Sequence, residues 1–264
     1  LQKSRFRNIT GFSTVLLYIG VFLSQGFTLA AVDSLQLARK LYKMHDYENA
    51  YEEYRRYLSQ QLYLVDFADY VIEASLSITD PLKQISFVLQ YLDQAPNFYN
   101  RKILYEYLGF LSEYIGDYPK AIAYYTHAYM ISRPLDHGLY LRIAILNFEL
   151  GEYPHALYMA RITMDKVTAY VKNDVLLVMI RAILMMPGAL DNMNDIVRRE
   201  RVYIEQYAQP NLLYLLYLGF LRYQQIDKSQ EFLANLLRRY PDSPEALELQ
   251  GKIRRVSMPS LLWW

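Results

Sequence analysis

Tyr105-x-x-Leu108-Gly109, followed by Gly116-Asp117-Tyr118-x-x-Ala121-x-x-x-Tyr125, is the stretch that decides the fold. The same order of residue types returns at Tyr140-x-x-Ile143-Ala144 and Gly151-Glu152-Tyr153-x-x-Ala156-x-x-x-Ala160, with the turn glycines 35 residues apart. Working outward, Asp46-Tyr47-x-x-Ala50-x-x-x-Tyr54 lies 71 residues before the turn at Asp117. Leu215-x-x-Leu218-Gly219 precedes an acidic turn at Asp227, 75 residues beyond Glu152. Each of these longer gaps has room for one degenerate copy. The pentapeptide Tyr-Leu-Gly-Phe-Leu occurs at both 107–111 and 217–221. A fixed period of this length marks a repeat architecture.

The pattern has a physical logic. Each copy reads as two antiparallel helices joined by a short turn. Gly109, Ala144 and Gly219 are small where the two helices cross, and Ala50, Ala121 and Ala156 are small on the opposing side. Tyr54 and Tyr125 are large enough to plug the gap to the next copy. Gly116 and Gly151 can take the left-handed conformation that ends a helix. Asp117 can cap the helix that follows, and Pro119 and Pro154 fall in first turns, where a missing N–H costs little. One hairpin cannot bury its own apolar face, so stacking of neighbours makes the core.

These residues resemble the tetratricopeptide repeat (TPR) family, whose unit of about 34 residues reads W-x2-L-G-x2-Y, then a turn, then A-x3-F, then P. Here Tyr or Leu stands for the Trp, and Ser112, Asn147 or Arg222 for the second Tyr. The closing Pro is met at Pro96 and approximately at Pro134 and Pro241. The resemblance covers residues 34 to about 250 and is weak over 60–98 and 172–210. It implies an all-α fold, a right-handed α-solenoid of about six helical hairpins with a C-terminal capping helix. The spacing predicts helix pairs at 34–45/47–60, 64–78/81–94, 101–115/118–132, 138–150/153–168, 173–186/191–207 and 212–225/228–240, with the cap at 244–256. Pro187-Gly188 and the segment Pro241 to Pro244 read as loops.

Before the repeats, Lys3, Arg5 and Arg7 come ahead of an apolar stretch from Gly11 to Leu23, with small residues near Ala30. That order reads as a signal peptide. An uncleaved membrane anchor remains open, because no charge occurs between Arg7 and Asp33; a buried core helix is the third reading. The expected division is therefore 1–30 as signal peptide or anchor, 31–256 as the helical repeat domain and 257–264 as a tail. On the first two readings the repeat domain is exported, periplasmic or anchored facing outside the cytoplasm. Membrane association through residues 8–29 follows if the segment is uncleaved.

The chain has 264 residues and a formal net charge of +1. So balanced a charge gives no electrostatic reason to expect a nucleic-acid partner. With no Cys, disulfides, thiolate metal sites and a Cys nucleophile are excluded. His45, His127, His137 and His155 show no pair at i+3 or i+4, so no helical metal site is visible. No phosphate loop, nucleophile elbow or zinc motif occurs. The expectation is no cofactor, no metal and no enzymatic activity. Tyr, at 27 copies, supplies apolar area with a polar tip, suited to half-buried helix faces.

Function then rests on surfaces. In the TPR family the first helix of each unit lines a concave, peptide-binding surface. By position, that resemblance implies Ile103, Glu106, Phe110 and Glu113 from one unit and Leu141, Ile145 and Phe148 from the next. A later unit supplies Leu213, Leu216, Phe220 and Tyr223. The Lys, Asn and Arg with which some members grip a terminal carboxylate are missing. The surface is apolar and aromatic, so the implied partner is another protein or peptide, with an amphipathic or apolar segment. The same stripes read equally as core packed between helices. The leading expectation is an exported adaptor in the cell envelope; the alternative is a carrier for a small apolar ligand within the curled solenoid.

Overall fold

A computed structural model describes residues 33–60, 66–95 and 97–251, and all regular structure among them is helical. The chain divides into two compact units, at Leu135 and Asp136. The first holds α1 (33–43), α2 (Tyr47–Gln60), α3 (Phe67–Leu76), α4 (Pro81–Leu92), α5 (Phe98–Tyr114) and α6 (Tyr118–Ile131). The second holds α7 (His137–Glu149), α8 (Tyr153–Met164), α9 (Ala169–Leu184), α10 (Ala189–Arg199), α11 (Arg201–Tyr207), α12 (Pro210–Arg222), α13 (Ile226–Arg239) and α14 (Pro244–Leu249). The helix pairs follow the expected order, with ends shifted by a few residues. The signal or anchor segment and the 257–264 tail lie outside the described residues.

The turns form as their chemistry dictates. Gly116 and Gly151 both have φ 79°. Asp117 accepts a hydrogen bond from the Lys120 amide at 3.3 Å, which caps α6. His45 and Gln224 hold the same left-handed turn position without being glycine, at φ 62° and 56°. Tyr54 plugs the gap between hairpins as expected: it is buried, and its hydroxyl donates to Glu73 Oε2 on α3 at 3.2 Å. Tyr125 instead turns back on its own hairpin. Its ring covers Gly109, and its hydroxyl donates to Glu113 Oε2 on α5 at 3.1 Å.

Neighbouring hairpins are joined by hydrogen bonds about one repeat apart in sequence. The Arg39 guanidinium grips Glu73 with two bonds, at 2.9 and 2.8 Å. Buried Asn100 accepts from the Ala68 amide at 2.8 Å, satisfying the open first turn of α3. Asn173 does the same for the Gln209 amide before α12, at 3.0 Å. Tyr203 donates to the Ala169 carbonyl at 2.9 Å. Arg239 on α13 donates to the carbonyls of Ile204, Glu205, Gln206 and Ala208, at 3.0–3.1 Å, and so caps the end of α11. Asn100 and Asn173, both buried and paired across repeats in this way, hold the stacking register.

Two expectations need correcting. The helix expected over 191–207 breaks at Glu200, where φ is −100° and ψ 16°, into α10 and α11. There the Glu200 carboxylate meets Lys172 Nζ of α9 at 2.6 Å. The capping helix expected over 244–256 ends at Leu249, because Gly251 turns left-handed at φ 70°. Ala246 of that helix is nonetheless fully buried, and α14 packs on α12.

The crossing glycines differ in what a methyl group would meet. A Cβ on Gly109 would stand 2.6 Å from the Tyr125 ring, whose hydroxyl is held by Glu113. On Gly219 it would meet the mobile end of Met193 at 2.7 Å. Gly109→Ala should therefore lower the unfolding free energy by about 1–2 kcal/mol, while Gly219→Ala, with helix propensity in its favour, stays near neutral. Urea titration of both variants checks this.

Burial also sets a limit in alkali. It is the first cause of the raised pKa of Tyr54, Tyr91, Tyr107 and Tyr203, and it pushes Tyr57 up to about 12. A phenol whose pKa is higher in the folded chain contributes stability that is complete below the unfolded value of 10.0 and is lost as pH rises through the folded one. The melting temperature should fall between pH 10 and 12, and Tyr57→Phe should blunt that fall in thermal melts across the range.

Candidate functional site: the first-helix face of the first unit

Three first helices, α1, α3 and α5, align side chains at intervals of 34 residues. Arg39, Glu73 and Tyr107 form one row; Tyr42, Leu76 and Phe110 form the next, one helical turn on. The two Arg39–Glu73 bonds show that the register is real between α1 and α3. Between α3 and α5, Ser75 donates to the Tyr107 hydroxyl at 2.9 Å. Tyr107 and Phe110 stack at 6.3 Å between ring centroids.

The second row is open to solvent. Leu76 is 48% exposed and Phe110 53%, and Tyr42 is half-buried beside them. Tyr114, 73% exposed, extends the apolar surface one turn beyond Phe110. Arg39, Tyr42, Lys43, Tyr54, Glu73 and Leu76 line a groove of about 370 Å³ between α1 and α3. Glu73 is fully engaged there, by Arg39 and by the Tyr54 hydroxyl. The hydrogen bond to Glu73 raises the Arg39 pKa further. The groove is thus an apolar strip beside a self-neutralised ion pair. Leu76, Phe110 and Tyr114 thus gather large exposed apolar side chains on one face. Among the described residues, no group of three or more metal-ligating side chains comes together.

No family model matches the chain, and no curated protein does either. Solved structures do. The C-terminal part of a TPR repeat-containing protein from Cytophaga hutchinsonii aligns over 88% of this chain and 96% of its own, at 14% identity and a TM-score of 0.57. YrrB, a TPR protein with an unusual peptide-binding site, aligns over 75% and 97%, at 12% identity and a TM-score of 0.51. A signal-transduction ATPase from Pyrococcus horikoshii with a TPR sensor aligns over 84% of this chain and 38% of its own, at 13% identity and a TM-score of 0.54. This chain has the tetratricopeptide-repeat fold.

The TPR register can now be compared with where the side chains lie. Phe110 is exposed. Ile103 is half-buried and packs on the first unit's core. Glu106 is tied to Lys102 at 2.8 Å, and Glu113 accepts from Tyr125. In the second unit, Ile145, Phe148 and Tyr223 are half-buried against its core, with the Phe148 ring on Tyr153 at 5.4 Å. Leu141 is buried, and Leu213, Leu216 and Phe220 are fully buried, with Phe220 stacked on Phe232 at 5.6 Å. The concave-face assignment of these four is therefore corrected: they are core. The reason lies in α9 and α12. Val175 to Ile180 are buried without interruption, as are Leu212 to Leu216, so these stretches are covered on all sides by other helices.

The TPR positions carried over from the family missed Tyr42, Leu76, Tyr107 and Tyr114. The signal was present as the 34-residue spacing of Tyr42, Leu76 and Phe110, hidden because neither α1 nor α3 carries the Leu-Gly pair found in α5 and α12. The two phenylalanines at equivalent TPR positions should respond in opposite ways. Phe220→Ala should cost about 3–5 kcal/mol, and Phe110→Ala should stay within about 0.5 kcal/mol of the parent, in chemical denaturation.

Proposed function

We propose that the chain is a non-catalytic scaffold for protein–protein interaction, and that its partner lies on the Tyr42–Leu76–Phe110 face of the first unit. The observation that carries this reading is the apolar row across three successive first helices, with Leu76 and Phe110 exposed and Tyr42 half-buried, whereas Leu213, Leu216 and Phe220 of α12 are fully buried. A structural neighbour with a peptide-binding site gives further support, since the TPR fold there presents a surface to a peptide. The alternative of a small-ligand carrier is less well supported, because α9 and α12 are packed with their own side chains. The partner acts outside the cytoplasm; this part of the proposal rests on the charge and apolar order of residues 1–30.

Photo-cross-linking in intact cells, with the probe at Phe110 and read by mass spectrometry, tests the proposal. A dominant cross-linked protein that disappears when Leu76→Asp is added is the expected result. Cross-links confined to the chain itself, or to lipid, overturn it. A partner confined to the cytoplasm overturns the exported placement alone.

A further inference from the structure

The second unit holds a cavity between α8, α9 and α10, of about 170 Å³. Each helix gives it one apolar side chain: Met164, Met179 and Ile196, all buried. Close-packed interiors leave few spaces larger than a water molecule. A cavity of roughly 150 Å³ with such an apolar lining already takes a benzene-sized group. The space therefore suits a short aliphatic or thioether side chain.

Charged groups complete the lining, and most of them are spent within the protein. Asp195 pairs with Arg199 at 2.9 Å and with Arg198 at 2.7 Å. Glu200 is held by Lys172 at 2.6 Å. Arg161 and Asp165 are different. Both line the cavity, both are exposed, and neither makes an ion pair or a side-chain hydrogen bond among the described residues. Lys166, beside Asp165, and Asp191, one turn before Asp195, are exposed and lie outside the lining.

The helix explains why these two stay apart. A base four residues before an acid is the weaker order for a pair on one helix. Asp165 is also the residue that ends α8, where the helix dipole disfavours a negative charge. It gains from a cation brought from outside. Arg161, in the last turn, sits well with the dipole and offers its planar donors to a carboxylate. An anion alone would leave Asp165 unmet, and a cation alone would leave Arg161. A ligand with both charges and an apolar side chain meets all three features, the arrangement typical of small-molecule sites.

We infer that the second unit binds a free α-amino acid with an apolar side chain. Its carboxylate meets Arg161, its ammonium meets Asp165, and its side chain lies against Met164, Met179 and Ile196. This site is separate from the partner face of the first unit, so the scaffold reading stands or falls without it. Equilibrium dialysis of the full chain against radiolabelled L-valine, L-leucine, L-isoleucine and L-methionine tests the inference. At least one should bind at one site per chain, with a Kd below about 1 mM. Competition should be at least about tenfold weaker for 4-methylpentanoate, which lacks the ammonium, for 3-methylbutylamine, which lacks the carboxylate, and for glycine, which lacks the side chain. Arg161→Gln and Asp165→Asn should each weaken binding about tenfold, while the melting temperature without ligand stays that of the parent, since both side chains are exposed. Failure of all four amino acids to bind overturns the inference. So does equal competition by the acid or the amine, or full binding in either variant.

Discussion

A helical hairpin has more apolar surface than its two helices can cover for each other, and the rest of this structure follows from that surplus. The small residues at the crossings bring paired helices close: Gly109 sits under the Tyr125 ring, and Gly219 against Met193. What remains uncovered must be buried by the next hairpin, at a fixed register. Arg39–Glu73, Asn100 to Ala68, Asn173 to Gln209 and Arg239 to the end of α11 all bridge about one repeat. Apolar contact supplies the drive to stack and is indifferent to small slips. The bonds of the buried Asn100 and Asn173 are not, since a slip would leave these polar groups unpaired inside.

The two units use the surplus differently. In the second, the stretches Val175 to Ile180 of α9 and Leu212 to Leu216 of α12 are apolar and buried, so these positions hold the core together. In the first, α1, α3 and α5 keep a row of apolar side chains facing solvent, next to an ion pair that needs nothing from outside. The same repeat thus yields a load of packing in one unit and an available surface in the other.

Much of the fold was legible in the sequence. Gly116, Asp117 and Pro119 announce one turn, and Gly151 and Pro154 the next; each works locally, so no distant contact is needed to read it. Less legible were the places where a residue's role depends on what lies across from it. Tyr125 plugs its own hairpin where Tyr54 bridges to the next, although both occupy the same position of the pattern. Glu200 interrupts a helix whose composition gives no warning, at the point where it meets Lys172.

The site divides along the same line. By itself the sequence determined the helical repeats, their period, their turns and the small residues at their crossings. Those depend on backbone propensity and on spacing within about 35 residues. Only the tertiary structure decided that Phe110 is open while Phe220, in an identical pentapeptide, is core. The pentapeptide specifies a helix face; whether that face meets water or another helix is set by residues far away in the chain.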